Sequence, residues 1–171
     1  MSMTLESLQL QQTLIELYNR YAEGIDSKDW AMVRSCFDDR IALDYGPLSE
    51  AGADADGLWA ADDWMLALQG VINGFDITRH AITNHRFDFS GDNCNCRAYL
   101  SADHVIFPDG GMPGPEDVWT VVGEYSNDFV RDAAGEWRIG RSRLSMQWNS
   151  GNPGLFEVAR ERAAAQASSK A

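Results

Sequence analysis

The chain has three histidines, His80, His85 and His104, and imidazole is the side chain whose unperturbed pKa suits it to carry protons near neutral pH. Alternation along the strand expected over Cys94–Phe107 puts His104 with Ala98, Leu100, Ala102 and Ile106. That is the apolar, inward face, a costly place for an imidazole without a partner or a purpose. Asp103 falls on the opposite face with Arg97 and Tyr99. His80 lies on the preceding strand, where a three-residue turn would set it opposite His104 and a two-residue turn opposite Asp103. One bulge exchanges the two cases, so both registers stay open. His85, an odd step from His80, is expected to point the other way.

Asp26 stands at the junction of the first two helices, where aspartate is a favoured N-cap. Ser27 could cap equally well and free Asp26 for another task. A carboxylate bonded to the far nitrogen of His80 would fix its tautomer and stabilise the imidazolium as it forms.

The elements that must position these groups follow from hydrophobic period. Leu8, Leu14, Ile15, Tyr18, Tyr21, Ala22 and Ile25 make one helical stripe, with Gly24 as a stop. Asp26-Ser27-Lys28-Asp29 reads as the start of a second helix carrying Trp30, Val33, Cys36 and Phe37. Arg40–Tyr45 alternates as a first strand, broken by Gly46-Pro47, and Ser49–Gly57 is a loop. A third helix is expected over Ala61–Val71. Two hairpins follow, Ile77–Phe89 with Cys94–Phe107 around Ser90-Gly91-Asp92-Asn93, and Val118–Arg131 with Trp137–Trp148. Pro108–Pro115 is a turn-dense loop, and a short helix is expected over Leu155–Arg162. The expectation is a single domain over residues 1–171 with a tail frayed after about residue 163. Its fold class is α+β, a conical barrel in which a curved antiparallel sheet wraps about three N-terminal helices and leaves an open-mouthed cavity.

Composition narrows the function. A formal net charge of -12 repels phosphate backbones and anionic membranes, so neither nucleic acid nor membrane is expected as a partner. Six Trp, seven Phe and five Tyr suit a core or pocket holding a flat organic ligand. No signal-peptide pattern and no apolar run of spanning length is present, and the cysteines Cys36, Cys94 and Cys96 read as reduced thiols of a cytoplasmic protein. Cys94-Asn95-Cys96 with His104 lacks a second spaced pair, so no metal is expected, and no P-loop, Rossmann or G-x-S-x-G motif occurs.

Gly24-Ile25-Asp26-Ser27-Lys28-Asp29-Trp30, Leu43-Asp44-Tyr45, Thr78-Arg79-His80 and Asp103-His104 together resemble, in order and spacing, the scytalone dehydratase/SnoaL-like branch of the nuclear transport factor 2-like superfamily. Thr78–Asn84 is also similar to hexachlorocyclohexane dehydrochlorinase, and Tyr21, five residues before Asp26, to a tyrosine of the bile acid dehydratases. The likeness spans roughly residues 5–150. It implies a cofactor-independent lyase acting on a small, hydroxylated cyclic or aromatic substrate. His80 would remove a proton, Asp26 would orient it, Tyr45 would polarise the acceptor and His104 would assist loss of hydroxide. Tyr21, Trp30 and Asp103 would contact substrate. Ile25 stands where scytalone dehydratase has a second tyrosine, and Tyr21, four residues back on the same helix face, can substitute for it. The alternatives are an isomerase or dehydrohalogenase with the same dyad, or a non-catalytic ligand carrier or assembly subunit. A homo-oligomer is expected, trimer before dimer, through an exposed sheet face bearing Trp119, Trp137 and Trp148.

Overall fold

The structure, a computed structural model, describes residues 4–46, 48–49, 52–90, 93–109 and 111–169. The first helix, α1 (Leu5–Ser27), opens on a reciprocal cap in which Thr4 Oγ1 accepts from the Ser7 N–H and Ser7 Oγ accepts from the Thr4 N–H. It does not stop at Gly24. Lys28 takes the left-handed conformation (φ 59°), and the Asp29 N–H closes back on the Gly24 carbonyl at 2.9 Å. Glycine at 24 serves a close approach instead, since a Cβ there would lie 2.7 Å from Val33 Cγ2. The second helix, α2, is a single turn (Trp30–Arg34) capped by Asp29, whose Oδ1 accepts from the Met32 N–H at 2.9 Å. Asp26 is therefore no cap; it lies in the last turn of α1.

Six strands follow: β1 (Phe37–Asp44), β2 (Trp59–Ala60), β3 (Ile77–Ser90), β4 (Asn93–Val105), β5 (Val118–Arg131) and β6 (Trp137–Gly151). They form one curved, unclosed sheet in the order β2-β1-β6-β5-β4-β3. The third helix, α3 (Ala61–Ile72), carries the chain from one edge to the other, and α4 (Leu155–Ser168) closes the sequence. The sheet is not wholly antiparallel: β1 runs parallel to β6. Three reversals leave β6 opposed to β3, and the crossover through α3 leaves β3 opposed to β1. Just past the loop expected at Ser49–Gly57, the chain forms the short strand β2, whose Trp59 pairs with Ile41. Pro47 of the expected strand break, Gly91-Asp92 of the hairpin turn, and Glu50, Ala51 and Gly110 of the expected loops lie outside the described residues.

The main core lies between α1, α3 and the concave sheet face. Its largest fully buried side chains include Trp64, Tyr18, Phe37 and Phe129, each stabilising the fold by about 1.5–3 kcal/mol through area removed from water. A second cluster of Val71, Phe75, Leu155 and Ala159 seals α4 onto α3. Gly74 makes this contact possible, because a Cβ there would lie 1.8 Å from the Ala159 carbonyl oxygen. The helix does not end at Arg162. Buried Ala163 anchors a further turn and it continues to Ser168; Lys170 and Ala171 lie outside the described residues.

Candidate active site

A bulge in β3 decides which side chains meet. Ser90 pairs with Asn93 and Arg86 with Arg97, but from Thr83↔Tyr99 onward the register has slipped by one, so Asn84 and His85 together oppose Ala98. Asn84 adopts φ 54°, a conformation asparagine tolerates better than most residues. The bulge switches the inward parity from odd (Phe87, Phe89) to even (Thr78, His80, Ile82). His80 consequently pairs with Ala102, and Thr78 with His104. Neither pairing expected from turn length occurs, yet His80 and His104 share the concave face, with ring centroids 5.7 Å apart. The bulge also turns His85 inward rather than away, against Tyr18 at 5.0 Å. It lies outside the cavity, and burial lowers its pKa.

Asp26 clamps the end of α1 to the start of β3 with three bonds. Its Oδ2 accepts from the His80 N–H at 2.8 Å, and its Oδ1 accepts from Thr78 Oγ1 at 3.0 Å. The same Oδ1 lies 2.7 Å from His80 Nδ1. Partial burial works against the charge on Asp26, but the bonds from the His80 ring and backbone outweigh it and hold the carboxyl below its ordinary pKa. A nitrogen facing a carboxylate carries the ring proton, so Nε2 of neutral His80 is left with a free lone pair. The His80 side chain is 7 % exposed. That is a base with its proton-bearing edge anchored and its other edge turned to the cavity.

His104 is held similarly. Its Nδ1 lies 3.2 Å from the Trp119 carbonyl oxygen, which can only accept, so Nδ1 is protonated and Nε2 is free. Burial, with the nearby His80, pushes its pKa down to about 4. Protonation is therefore easier in the unfolded chain than in the folded one. Stability from this group is complete above about pH 6.5 and is lost as pH falls toward 4, by roughly 3 kcal/mol in all. Urea unfolding across that range should show a steeper slope in the wild type than in His104→Phe, where only groups such as His85 still contribute; equal slopes in both would refute the assignment.

Tyr45 follows the last residue of β1, with its hydroxyl 2.8 Å from Ser142 Oγ, which in turn donates to Asn127 Oδ1 at 2.7 Å. Tyr21 and Tyr125 cross at 6.0 Å, and Tyr45 and Tyr125 at 6.2 Å. Burial, then the neighbouring phenols, raises all three tyrosines well above their ordinary pKa, so they stay protonated.

These groups line a cavity of about 110 Å³ whose remaining wall is apolar, built by Leu68, Val71, Phe75, Leu100, Val121 and Phe156 among others. No carboxylate, lysine or arginine is among the described residues that line it. Four of the residues singled out in the sequence meet here (His80, His104, Tyr45 and Tyr21), with Asp26 directly behind His80. Two do not. Trp30 Nε1 donates to Asn73 Oδ1 at 3.1 Å, pinning α2 to the α3 terminus. Asp103 accepts from Thr120 Oγ1 at 2.7 Å on the convex face, as its strand parity dictates. Three lining residues escaped the sequence reading. Tyr125 was legible in the inward alternation Val121, Tyr125, Phe129. Trp119, expected outside, faces inward because it pairs with His104. Phe156 reaches the cavity only because α4 folds back. Trp137 is buried as well, 8 % exposed, leaving Trp148 alone of the three tryptophans on the outside.

A curved, unclosed sheet folded over helices around a small polar-footed cavity defines a conical α+β small-molecule-binding fold. A family model for the SnoaL-like domain matches residues 6–143, and the chain belongs to that family, within the nuclear transport factor 2-like superfamily. Among solved structures it is similar to the Kfla4162 protein of Kribbella flavida, at 28% identity and TM-score 0.71 over 88% of this chain and 96% of that one. A candidate scytalone dehydratase of Novosphingobium aromaticivorans matches at 22% identity and TM-score 0.68 over 88% and 97% of the two chains. The hexachlorocyclohexane dehydrochlorinase LinA-type3 of Novosphingobium barchaimii matches at 17% and 0.65 over 88% and 94%. No curated protein sequence matches the chain. Among the described residues no helix is long and apolar enough to cross a membrane.

Proposed function

We propose that this chain is a cytoplasmic, cofactor-independent lyase of the dehydratase type, acting on a small, uncharged, hydroxylated ring compound. The observation that carries the reading is the 2.7 Å Asp26–His80 pair standing at the wall of an apolar cavity. His80 Nε2 takes a proton from carbon next to the leaving group or carbonyl. The C–H electron pair becomes the new double bond, and the C–O bond breaks with its pair on oxygen. The imidazolium returns the proton to the departing hydroxide, which leaves as water. Asp26 stabilises the transient imidazolium, while the hydroxyls of Tyr21, Tyr45 and Tyr125 and the neutral ring of His104 hold the substrate's oxygen atoms.

At about 110 Å³ the cavity is smaller than the void of about 150 Å³ that takes up benzene, which limits the ligand to a single small ring. Lack of a cation among its described lining residues disfavours carboxylates and phosphates as substrates. A dehydrohalogenase or isomerase would use the same dyad on a different leaving group. A ligand carrier or assembly subunit would not need an anchored imidazole with a free lone pair. The test is a screen of cyclic hydroxyketones and halogenated rings with wild type and His80→Ala side by side. Equal conversion by both would end the proposal.

We further propose that the protein assembles as a homotrimer, or failing that a dimer. With Trp119 and Trp137 turned inward, the contact falls to the far end of β6, where Met146 and Trp148 are 53% and 55% exposed. Light scattering should give a multiple of the 19.0 kDa chain mass, and Trp148→Glu should reduce it; a strictly monomeric wild type would remove the idea.

A further inference from the structure

Buried polar side-chain atoms nearly always find a partner, because a donor taken out of water and left unbonded forfeits its hydrogen bond outright. Three among the described residues have none: Trp64 Nε1, His85 Nε2 and Trp119 Nε1. Neither Trp64 nor His85 is among the residues lining the cavity, and Trp119 is. Trp119 pairs with His104 across β5 and β4, its carbonyl accepts from His104 Nδ1 at 3.2 Å, and the two rings lie 5.2 Å apart. Phe156 of α4 stands nearly perpendicular to the indole, with ring centroids 6.0 Å apart. None of these contacts uses the indole N–H. The phenols gather elsewhere. Tyr125 is six residues further along the same face of β5, about 20 Å measured along the strand, and Tyr21 and Tyr45 pack against it. His80, level with Ala102 and Val121, lies between the two ends. Indole and phenols line one cavity, so the separation across the void is shorter than that along the strand.

We infer that Trp119 Nε1 donates a hydrogen bond to the ligand, giving the cavity a second oxygen-binding point at its α4 end, opposite the phenols. The inference rests on the reading of this cavity as the substrate site, and it narrows the substrate class. The ring carries oxygen on two sides, one for the phenol cluster and one for the indole, with His80 Nε2 between them. The N–H has no surface open to water, so it is met only by a ligand that parts the indole from a neighbour. Phe156 is that neighbour. His104 is held within the sheet, whereas Phe156 reaches the cavity from the first turn of α4. A ring with oxygen on one side leaves either the indole or the phenols without an acceptor in an apolar wall, where unmade hydrogen bonds cost most. Trp119 therefore sets specificity and takes no part in moving the proton.

Isothermal titration calorimetry tests this with 1,4-cyclohexanedione and cyclohexanone, uncharged rings of similar size that differ by the second oxygen. One net hydrogen bond corresponds to about a fivefold difference in Kd. The wild-type preference for the dione should therefore fall about fivefold in Trp119→Phe, which keeps an aromatic ring and the carbonyl that holds His104 but lacks the N–H. Lost packing weakens both probes alike and cancels in the ratio. A preference unchanged in a variant that thermal unfolding shows to be folded overturns the inference. The wild type gives a second readout should the variant fail to fold. In a nitrogen-15 correlation spectrum the Trp119 indole N–H, identified by triple-resonance assignment, should move downfield on saturation with the dione; an unmoved resonance overturns the inference. A protein that binds neither probe loses the inference together with the cavity's role as a ligand site. The lyase reading is tested separately, by turnover. A Trp119-dependent preference in a protein that converts no ring compound would keep this inference and discard the lyase, and conversion without that preference would do the reverse.

Discussion

His80→Ala should lower kcat by about 10²–10⁴-fold, the usual contribution of a positioned general base, while leaving the fold intact. The imidazole is buried at the cavity wall, and its loss leaves a void in a region already built around one. The carboxylate behind it keeps its bonds to the His80 backbone N–H and to Thr78. Asp26→Asn should cost activity on the same scale. An amide keeps the shape but cannot stabilise the imidazolium, and it no longer dictates which ring nitrogen carries the proton. Asp26→Ala is expected to behave differently, since it removes all three bonds tying α1 to β3, with a stability loss of roughly 3 kcal/mol. The depressed pKa of Asp26 adds a pH signature. Its contribution to stability is present above the ordinary carboxylate range and is lost as pH falls below about 4, through the lower folded-state value. Steady-state kinetics with urea unfolding separates these outcomes. If His80→Ala and Asp26→Asn both kept wild-type kcat, the dyad would have no catalytic role.

Deletion of Asn84 should remove activity altogether and destabilise the protein by several kcal/mol. The bulge at Asn84-His85 is the point at which β3 changes parity. Without it, one of two segments must turn over. If residues 85–90 keep their register, His80, Ile82 and Thr78 rotate to the convex face and Asp26 loses every partner. If residues 77–83 keep theirs, Phe87 and Phe89 leave the core, exposing two aromatic side chains that each stabilise burial by about 1.5–3 kcal/mol. Asn84→Gly, which preserves the bulge and relaxes the positive φ, should be nearly neutral by comparison. Far-ultraviolet circular dichroism, urea unfolding and turnover would be compared across the three proteins. A deletion variant with His80-dependent activity would show that the parity argument is wrong.

Much of this molecule was legible before folding. The 3.6-residue stripe of α1 and the two-residue alternation of β4 and β5 are one-dimensional consequences of having one face buried. They placed His104 inward and Asp103 outward without knowledge of neighbours. Residue types narrowed the chemistry: few side chains titrate near neutrality, and the spacing of Asp26, Tyr45, His80 and His104 matched a known order. Local chemistry was less reliable at element ends. Gly24 looked like a stop but is a packing contact with Val33, and Asp26 looked like a cap beside the residue, Asp29, that does cap.

What only the tertiary structure decided is register, direction and closure. Whether His80 faces His104 depends on a single extra residue in a bulge, and a one-residue slip costs nothing in the sequence pattern while reversing every side chain. The parallel pairing of β1 with β6, the inward turn of Trp119 and the docking of α4 through Gly74 are contacts between segments far apart in the chain. Their partners are set by how the whole sheet curves, so no local window contains them. Period and residue type, which each residue carries with it, were therefore written in the sequence. The meeting of two imidazoles and three phenols around a common void, with one carboxylate behind the first imidazole, belongs to the packed chain alone.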